Sequence, residues 1–297
     1  MRRVELHVHL DGSIPPSSLL RIAQRRQLSL PVVGIPSSEA DIWTALYSMT
    51  PSWHMFDLVN EIIGGDEDTL AEVAEGFVAQ QAAERVGYTE VRWDPVRPAV
   101  SHLANASISV EAAVRAVERG LRAGAERHGI EVHQLLCAMR GSPGAACFDL
   151  ARLAAATRSG ELGGVVGIDL AGDEYHFNNS KGHVVECFRY AKGELLLNTT
   201  VHAGEMAGPD DVRSAVEDME ADRVGQYANA TFRAGTLDHI RLTRPATHAC
   251  RANSATHACR PPRRSSGYAA TQDATVIELL RRTQTHLEAC PAGNHLC

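Results

Sequence analysis

The sequence predicts an α/β fold in which parallel strands form a barrel. Five short β-rich runs alternate with helical patterns between the N-terminus and about residue 225. Alternation at this spacing is typical of a parallel sheet covered by helices. The first run is not followed by a G-x-G-x-x-G loop, which would indicate a doubly wound nucleotide-binding sheet. A barrel is therefore the favoured architecture.

The predicted strands are short and apolar, as strands buried on both faces are. They span residues 4–10, 88–93, 132–139, 165–171 and 196–202. The clearest helix is 109–127, because Ser109 is an N-cap candidate and apolar residues recur along one face. Helices are also predicted over 66–85 and 210–221, whose first turns carry acidic residues that the helix dipole favours.

The hydrophobic pattern changes near Gln226. The segment 226–266 has no periodicity and contains a direct repeat of Ala-Thr-His-Ala-Cys-Arg, so we predict a low-complexity, disordered insert. The histidines and cysteines of the repeat match no common zinc-finger spacing. The predicted domains are a barrel region over 1–225 with strands one to about six, the insert 226–266, and a barrel continuation over 267–297. That continuation carries a helix over 273–283 and a seventh strand over 286–291.

Composition narrows the class of partner. Of 297 residues, 44% are hydrophobic and 22% are charged, and the formal net charge is −7. An acidic balance argues against nucleic-acid binding and favours a small-molecule partner. No apolar run has the length of a membrane span or a signal peptide. The seven cysteines are odd in number, and the first three, Cys137, Cys147 and Cys187, show no framework spacing. We therefore expect a cytoplasmic protein without membrane contact; no motif sets its oligomeric state, and we expect a monomer.

The first predicted strand ends with two histidines, His7 and His9. Because side chains alternate across a strand, both imidazoles point to the same side and are able to share one metal ion. A pair of hydrogen-bonded histidines without a metal is an equally good interpretation of this pattern alone.

A second cluster, His202-Ala-Gly-Glu205, follows at the end of the fifth predicted strand. His202 is a candidate third ligand, and three neutral nitrogens around Zn²⁺ leave a position for a water whose pKa falls to about 7. The carboxyl group of Glu205 is a candidate for proton transfer beside that water. The alternative is a glycine turn with a solvated glutamate. Gly172, after the fourth strand, would let the backbone approach a ligand closely.

These stretches together resemble the adenosine deaminase family of metal-dependent hydrolases. The matching segments occur in family order and cover nearly the whole chain outside the insert; they are Val4-Glu-Leu-His-Val-His-Leu-Asp-Gly-Ser13, Tyr88-Thr-Glu-Val-Arg92, Ile168-Asp-Leu-Ala-Gly-Asp-Glu174, Thr200-Val-His-Ala-Gly-Glu205 and His286-Leu-Glu-Ala-Cys-Pro291. His-Leu-Asp-Gly-Ser with His-Ala-Gly-Glu is more similar to the adenosine enzymes than to the deaminases of N6-methylated AMP.

The resemblance implies a (β/α)8 TIM barrel with one Zn²⁺ per subunit. It implies hydrolysis of adenosine or deoxyadenosine to inosine or deoxyinosine and ammonia, by attack of a zinc-activated hydroxide at C6. The zinc ligands would be His7, His9 and His202. Glu205 would be the catalytic acid that protonates N1 of the purine, and an acid aimed at N1 stabilises the transition state more than the ground state.

The same resemblance implies the contacts of the nucleoside. His9 and Asp11 would contact the ribose 5′-hydroxyl, and the backbone of Gly172 would contact the purine edge.

The sequence departs from the family pattern in two places. Gln226 stands where the family has a histidine near the metal water, and Gly267-Tyr268 resumes the pattern. The family also has a late Asp-Asp pair, which gives the fourth zinc ligand and a purine contact. The sequence reaches Cys297 without this pair and without the last strand and helix. We therefore expect an incomplete barrel. We interpret 227–266 as a retained intron, since suitable codons for Gln226 and Ser266 would restore a histidine codon on splicing.

Two other functions stay open. One is a catalytically dead nucleoside-binding or interaction protein made from a mis-spliced product, because loss of a metal ligand and the adjacent histidine should cost several orders of magnitude in rate. The other is a different metal hydrolase of the amidohydrolase superfamily. Binuclear members usually need a bridging lysine near the fourth strand end, where this chain has Asp169 and Asp173.

Overall fold

The computed structural model describes residues 3–50, 54–177, 182–225 and 273–288. Its contacts divide the chain into two compact units, residues 1–137 with 156–166 and residues 138–155 with 167–297.

Three parallel strands form the sheet of the first unit: β1 (Arg3–His9), β2 (Val86–Trp93) and β3 (Glu131–Met139). The first unit includes β3 as far as residue 137. β2 lies between the other two, with His9 opposite Arg92 and Glu90 opposite His133. Trp93 and Gln134 lie on the other face of this sheet, where the indole N–H of Trp93 donates to the amide oxygen of Gln134 at 3.0 Å. Alternation along β2 therefore separates a polar face from a face that packs under helices.

In the described part of the chain, four α-helices precede β2, where a simple strand–helix repeat would need only one. They are α1 (Pro16–Arg25), α2 (Glu39–Tyr47), α3 (His54–Ile63) and α4 (Glu67–Ala83). After β2 come a short antiparallel hairpin of Val100–Ser101 with Ala106–Ser107 and the long helix α5 (Val110–His128).

The predicted N-cap of α5, Ser109, is confirmed, and α4 begins at a cap, Asp66, that was not predicted. The side chain of Ser109 accepts from the amide of Ala112 at 3.0 Å, and that of Asp66 accepts from the amide of Thr69 at 2.6 Å. Each such cap stabilises its helix by about 1 kcal/mol. α5 approaches α4 closely at Gly120, where an added Cβ would lie 2.1 Å from the carbonyl oxygen of Ala71; only glycine permits this contact.

Among its described residues, the second unit contains four parallel strands in sequential order: β4 (Val165–Ala171), β5 (Asn198–His202), β6 (Arg223–Gly225) and β7 (His286–Leu287). The unit includes β4 from residue 167 onward. Its described helices are α6 (Gly144–Thr157), α7 (Gly182–Gly193), α8 (Pro209–Glu217) and α9 (Ala274–Thr283). The second unit includes α6 as far as residue 155. Buried Glu288, just after β7, pairs with Arg223 of β6 at 2.7 Å.

The predicted α/β class is confirmed, as an incomplete (β/α)8 barrel with seven parallel strands among the described residues. Strand β5 begins two residues later than the predicted 196–202, because Leu196 has a φ of 54° and a left-handed residue does not continue a strand. Helix α8 ends at Glu217, before the predicted 221. The insert 226–266 and residues 289–291 of the predicted seventh strand lie outside the described residues, and the domain boundaries stay a prediction.

Two cysteines of the second unit form a disulfide bond, Cys147 on α6 with Cys187 on α7. They lie 40 residues apart in sequence, so their spacing gave no sign of the bond. Disulfides are commoner in oxidising compartments, and the cytoplasmic location stays a prediction. In the part of the chain that the structure describes, no helix has the length and apolar character of a membrane span.

Candidate active site

In the first unit, the carboxyl end of β1 carries His7 and His9. Their ring centroids are 5.5 Å apart, as expected for alternate residues on one face of a strand. His7 is buried, whereas His9 is partly exposed. Two imidazoles held this close on a rigid strand are suitable partners for one metal ion.

Asp11 lies in the single turn of 3₁₀ helix that follows β1. One carboxylate oxygen accepts from the side-chain amide of Asn60 at 3.3 Å, and the other accepts from the amide of Gly12 at 3.0 Å. Burial raises the pKa of Asp11, and the hydrogen bond from Asn60 opposes that rise. Asn60 is itself buried and is fixed by donating to the carbonyl of Phe56 at 2.8 Å. The sequence gave no indication that α3 supplies this partner.

A second acidic group, Asp94, follows β2 in the same unit. Burial raises the pKa of Asp94 to about 6, although it accepts from the amide of Val96 at 2.9 Å. The guanidinium of Arg97 lies 3.3 Å from Asp94 and 2.8 Å from Asp57 of α3. Arg97 is therefore engaged by two carboxylates.

In the second unit, His202 ends β5 and is buried. Its Nδ1 lies 3.1 Å and 2.9 Å from the two carboxylate oxygens of Asp169, a fully buried residue of β4. A hydrogen bond from Nδ1–H to this carboxylate fixes the ring and directs the lone pair to Nε2. Carboxylate partners of this kind orient metal-binding histidines in many sites.

Glu205 follows in the loop after β5 and is partly buried. Burial raises the pKa of its carboxyl group, and the negative charges of Glu174 and Asp169 add to the rise. His202 and Arg140 act in the opposite direction. The net result favours the protonated carboxyl group, which is the form that a proton donor requires.

Gly172 follows β4 with a φ of 101°. An added Cβ would lie 3.3 Å from both the amide nitrogen of Arg140 and the Cε of Met139. The positive φ is the feature that selects glycine here, and the residue is exposed.

Sequence reasoning missed two charged residues of the second unit, Glu174 and Arg140. Glu174 accepts from backbone amides of the loop that carries Glu205, and Arg140 donates to the carbonyl oxygen of His202. Both are buried. The position of Glu174, two residues beyond Gly172, was a possible signal for its role. Arg140, a single arginine at a strand end, gave no such signal.

The structure groups the predicted residues by unit. It places His7 and His9 together at the end of β1, with Asp11 two residues further on. In the second unit His202 closes β5 and Glu205 and Gly172 lie in the segments after β5 and β4. That one metal ion is shared by the three histidines stays a prediction.

The chain is similar to known deaminases. A family model described as adenosine deaminase matches residues 2–260. The adenosine deaminase of Mus musculus is 33% identical over 304 residues, which cover 99% of this chain and 73% of the mouse protein.

Two solved structures are also similar. The N6-methyl-AMP deaminase of Arabidopsis thaliana is 28% identical, with a TM-score of 0.60 over 76% of this chain and 64% of that chain. An amidohydrolase from Burkholderia ambifaria, solved with bound zinc, is 22% identical, with a TM-score of 0.64 over 76% of this chain and 58% of that chain. At this identity the similarity shows the fold alone. This chain thus spans less than two thirds of either solved chain.

Proposed function

Because the chain belongs to the adenosine deaminase family of hydrolases, we propose that it hydrolyses adenosine or deoxyadenosine to the inosine nucleoside and ammonia. One observation carries this proposal most directly. A carboxyl group whose pKa is raised by burial, that of Glu205, lies three residues after a histidine that a buried aspartate orients. A proton donor next to an oriented metal ligand is the arrangement that deamination of a purine needs.

We propose that His7, His9 and His202 hold one zinc ion. The donor set fits, because neutral imidazoles suit zinc and the contact of Asp169 with Nδ1 of His202 directs Nε2 toward a ligand. Zinc bound by these groups would supply Lewis acidity that makes water a nucleophile at neutral pH.

The role we assign to Glu205 is to hold a proton and deliver it to N1 of the purine. Attack at C6 moves charge onto N1, so a proton donated there stabilises the transition state more than the bound substrate. The burial that raises the pKa of Glu205 favours the form that carries this proton.

The remaining groups would orient the nucleoside. The carboxylate of Asp11, held by Asn60 at 3.3 Å, would accept from the ribose 5′-hydroxyl beside His9. The peptide of Gly172, whose φ of 101° disfavours any other residue, would contact the purine edge. Fixing both ends of the substrate places C6 for attack.

We favour a nucleoside over a nucleotide as the substrate. Besides Asp11, the buried Asp94 adds a second carboxyl group near the end of β2; burial raises the pKa of Asp94, and the negative charge of Asp11 adds to that rise. The nearest cation, Arg97, already contacts Asp94 and Asp57. A 5′-phosphate would meet net negative charge in this part of the first unit.

The experiment is a substrate panel. Purified chain with Zn²⁺ is given adenosine, deoxyadenosine, adenine, AMP and N6-methyl-AMP, and the change in purine absorbance is followed. Turnover of the two nucleosides supports the proposal. Turnover of the nucleotides alone contradicts the substrate we assign. In a parallel assay with simple amides and phosphoesters, hydrolysis of these compounds alone would identify a different metal hydrolase.

A second candidate, a nucleoside-binding protein without turnover, is favoured by Gln226, which stands in place of the family histidine. It is distinguished by a chain in which residues 227–266 are deleted and Gln226 is replaced by histidine, giving Val-Gly-His-Gly-Tyr. If adenosine binds both chains and only the edited chain turns it over, the present form is a binding protein. Measurable turnover of adenosine by the present chain excludes this candidate.

A further inference from the structure

Glu174 is an acidic residue of the segment after β4, and it is 1% exposed. One carboxylate oxygen accepts from the amide of Gly204 at 2.7 Å. The other accepts from the amides of Met206 at 2.7 Å and Ala207 at 3.0 Å. The three donors flank Glu205 on both sides.

We propose that Glu174 is a positioning residue, which fixes the backbone of residues 204–207 and thereby aims the side chain of Glu205. The aiming of a catalytic acid rests on the proposed deaminase function, whereas the fixing of the loop does not. The carboxylate of Glu174 spans the residue it positions, because it binds the amide before Glu205 and the two amides after it.

Arg140 holds the other end of the same loop. Its guanidinium donates to the carbonyl oxygen of His202 and, at 3.2 Å, to that of Phe177. Burial lowers the pKa of Arg140, and the negative charge of Glu174 is the largest influence that opposes this. Each residue therefore partly neutralises the buried charge of the other. A single buried ion without such a partner would be strongly destabilising.

A carboxylate suits this role better than any neutral side chain. All three partners are N–H donors, and an ionised carboxylate is acceptor-only at both oxygens. Glutamine would bring its NH₂ group against at least one backbone N–H and leave that donor unsatisfied. Aspartate keeps the charge but is shorter by one methylene group.

The test compares Glu174→Gln, Glu174→Asp and the matched control Asp173→Asn in the full chain with zinc. Asp173 is the preceding residue, and its carboxylate contacts His176. Amide hydrogen exchange is measured at Gly204, Met206 and Ala207 and, as an internal reference, along β5. Zinc content and the kcat and KM for adenosine are measured on the same samples.

We expect Glu174→Gln to speed exchange at the three amides by about ten- to a hundredfold, because hydrogen bonds to a charged acceptor are lost. Exchange in β5 and zinc content should stay as in the unaltered chain, Glu174→Asp should give a smaller change, and Asp173→Asn should give none. If the unaltered chain turns over adenosine, kcat should fall by more than KM rises.

Two results would overturn the proposal. One is unchanged exchange at the three amides in Glu174→Gln, and the other is an equal rise throughout β5, which would mean that the residue supports the fold in general. A chain without turnover would count against the proposed function, while the exchange data would still decide whether Glu174 fixes the loop.

Discussion

Asp169 binds the imidazole of His202 inside the second unit, with Nδ1 2.9 Å from one carboxylate oxygen. Both residues are buried, Asp169 completely. The pair links neighbouring parallel strands, since Asp169 lies on β4 and His202 ends β5. It gives the histidine a fixed ring orientation before any ligand binds.

The first prediction concerns this pair. Asp169→Asn should weaken zinc binding by about 10- to 100-fold, the usual cost of losing the carboxylate behind a histidine ligand. Competition with a chelator of known affinity measures the change. Asp173→Asn removes a carboxylate from the segment that follows β4 and should leave zinc affinity as it was; an equal loss in both variants would mean that general charge matters instead of the contact.

The second prediction concerns the proton donor. Glu205→Gln should lower kcat for adenosine by about 10²- to 10⁴-fold, the range for loss of a general acid, while nucleoside binding changes little. Steady-state kinetics and equilibrium binding of purine riboside check the two parts. Glu217→Gln, at the exposed end of α8, is the control. Retention of kcat in Glu205→Gln would remove Glu205 from the proposed reaction.

The third prediction uses the raised pKa of Asp94. Its folded-state pKa of about 6 exceeds the unperturbed 3.8, so the folded chain binds this proton more tightly than the unfolded chain does. The contribution of Asp94 to stability is thus fully present below about pH 4 and is lost as pH rises through about 6, at a cost of up to about 3 kcal/mol.

Asp94→Asn removes that pH dependence. The free energy of unfolding of this variant, relative to the unaltered chain, should increase by up to about 3 kcal/mol between pH 4 and pH 7. Denaturant titrations at both pH values measure it, with Asp149→Asn, an exposed carboxylate, as the control. A difference between variant and parent that does not change with pH would refute the assignment.

The fourth prediction concerns the bond between Cys147 and Cys187. Because it closes a loop over a sequence separation of 40 residues, chain entropy assigns it about 4 kcal/mol of stability. Peptide mapping without reductant should find the two residues linked, and reductant should lower the free energy of unfolding. In the double variant Cys147→Ser with Cys187→Ser, reductant should have no effect. If peptides carrying Cys147 and Cys187 are found unlinked, the bond does not form in solution.

The strands could be predicted from the sequence because each is a short apolar run between helical patterns. β4 was predicted with both of its ends correct, and the N-cap candidate Ser109 marked the start of α5. The turn at Leu196 escaped prediction, since its positive φ belongs to a residue type that seldom adopts one.

The candidate site was predicted only in part. Histidines and a glutamate near strand ends can be found from the sequence, because residue type and the alternation of side chains along a strand are local properties. Their hydrogen-bond partners cannot be found in this way, because they are distant in sequence. Asn60 binds Asp11 from 49 residues away, and Glu174 binds Gly204 from 30 residues away. Such contacts depend on how the elements pack, which hydrophobic periodicity does not encode.

Equilibrium zinc binding tests the central claim most directly, namely that imidazoles from positions 7, 9 and 202 share one ion. We expect the chain to bind one zinc ion per subunit. His7→Ala, His9→Ala and His202→Ala should each weaken that binding by about tenfold or more, whereas replacement of the exposed His128 should not. Zinc bound with unchanged affinity after any one of these three substitutions would contradict the shared site.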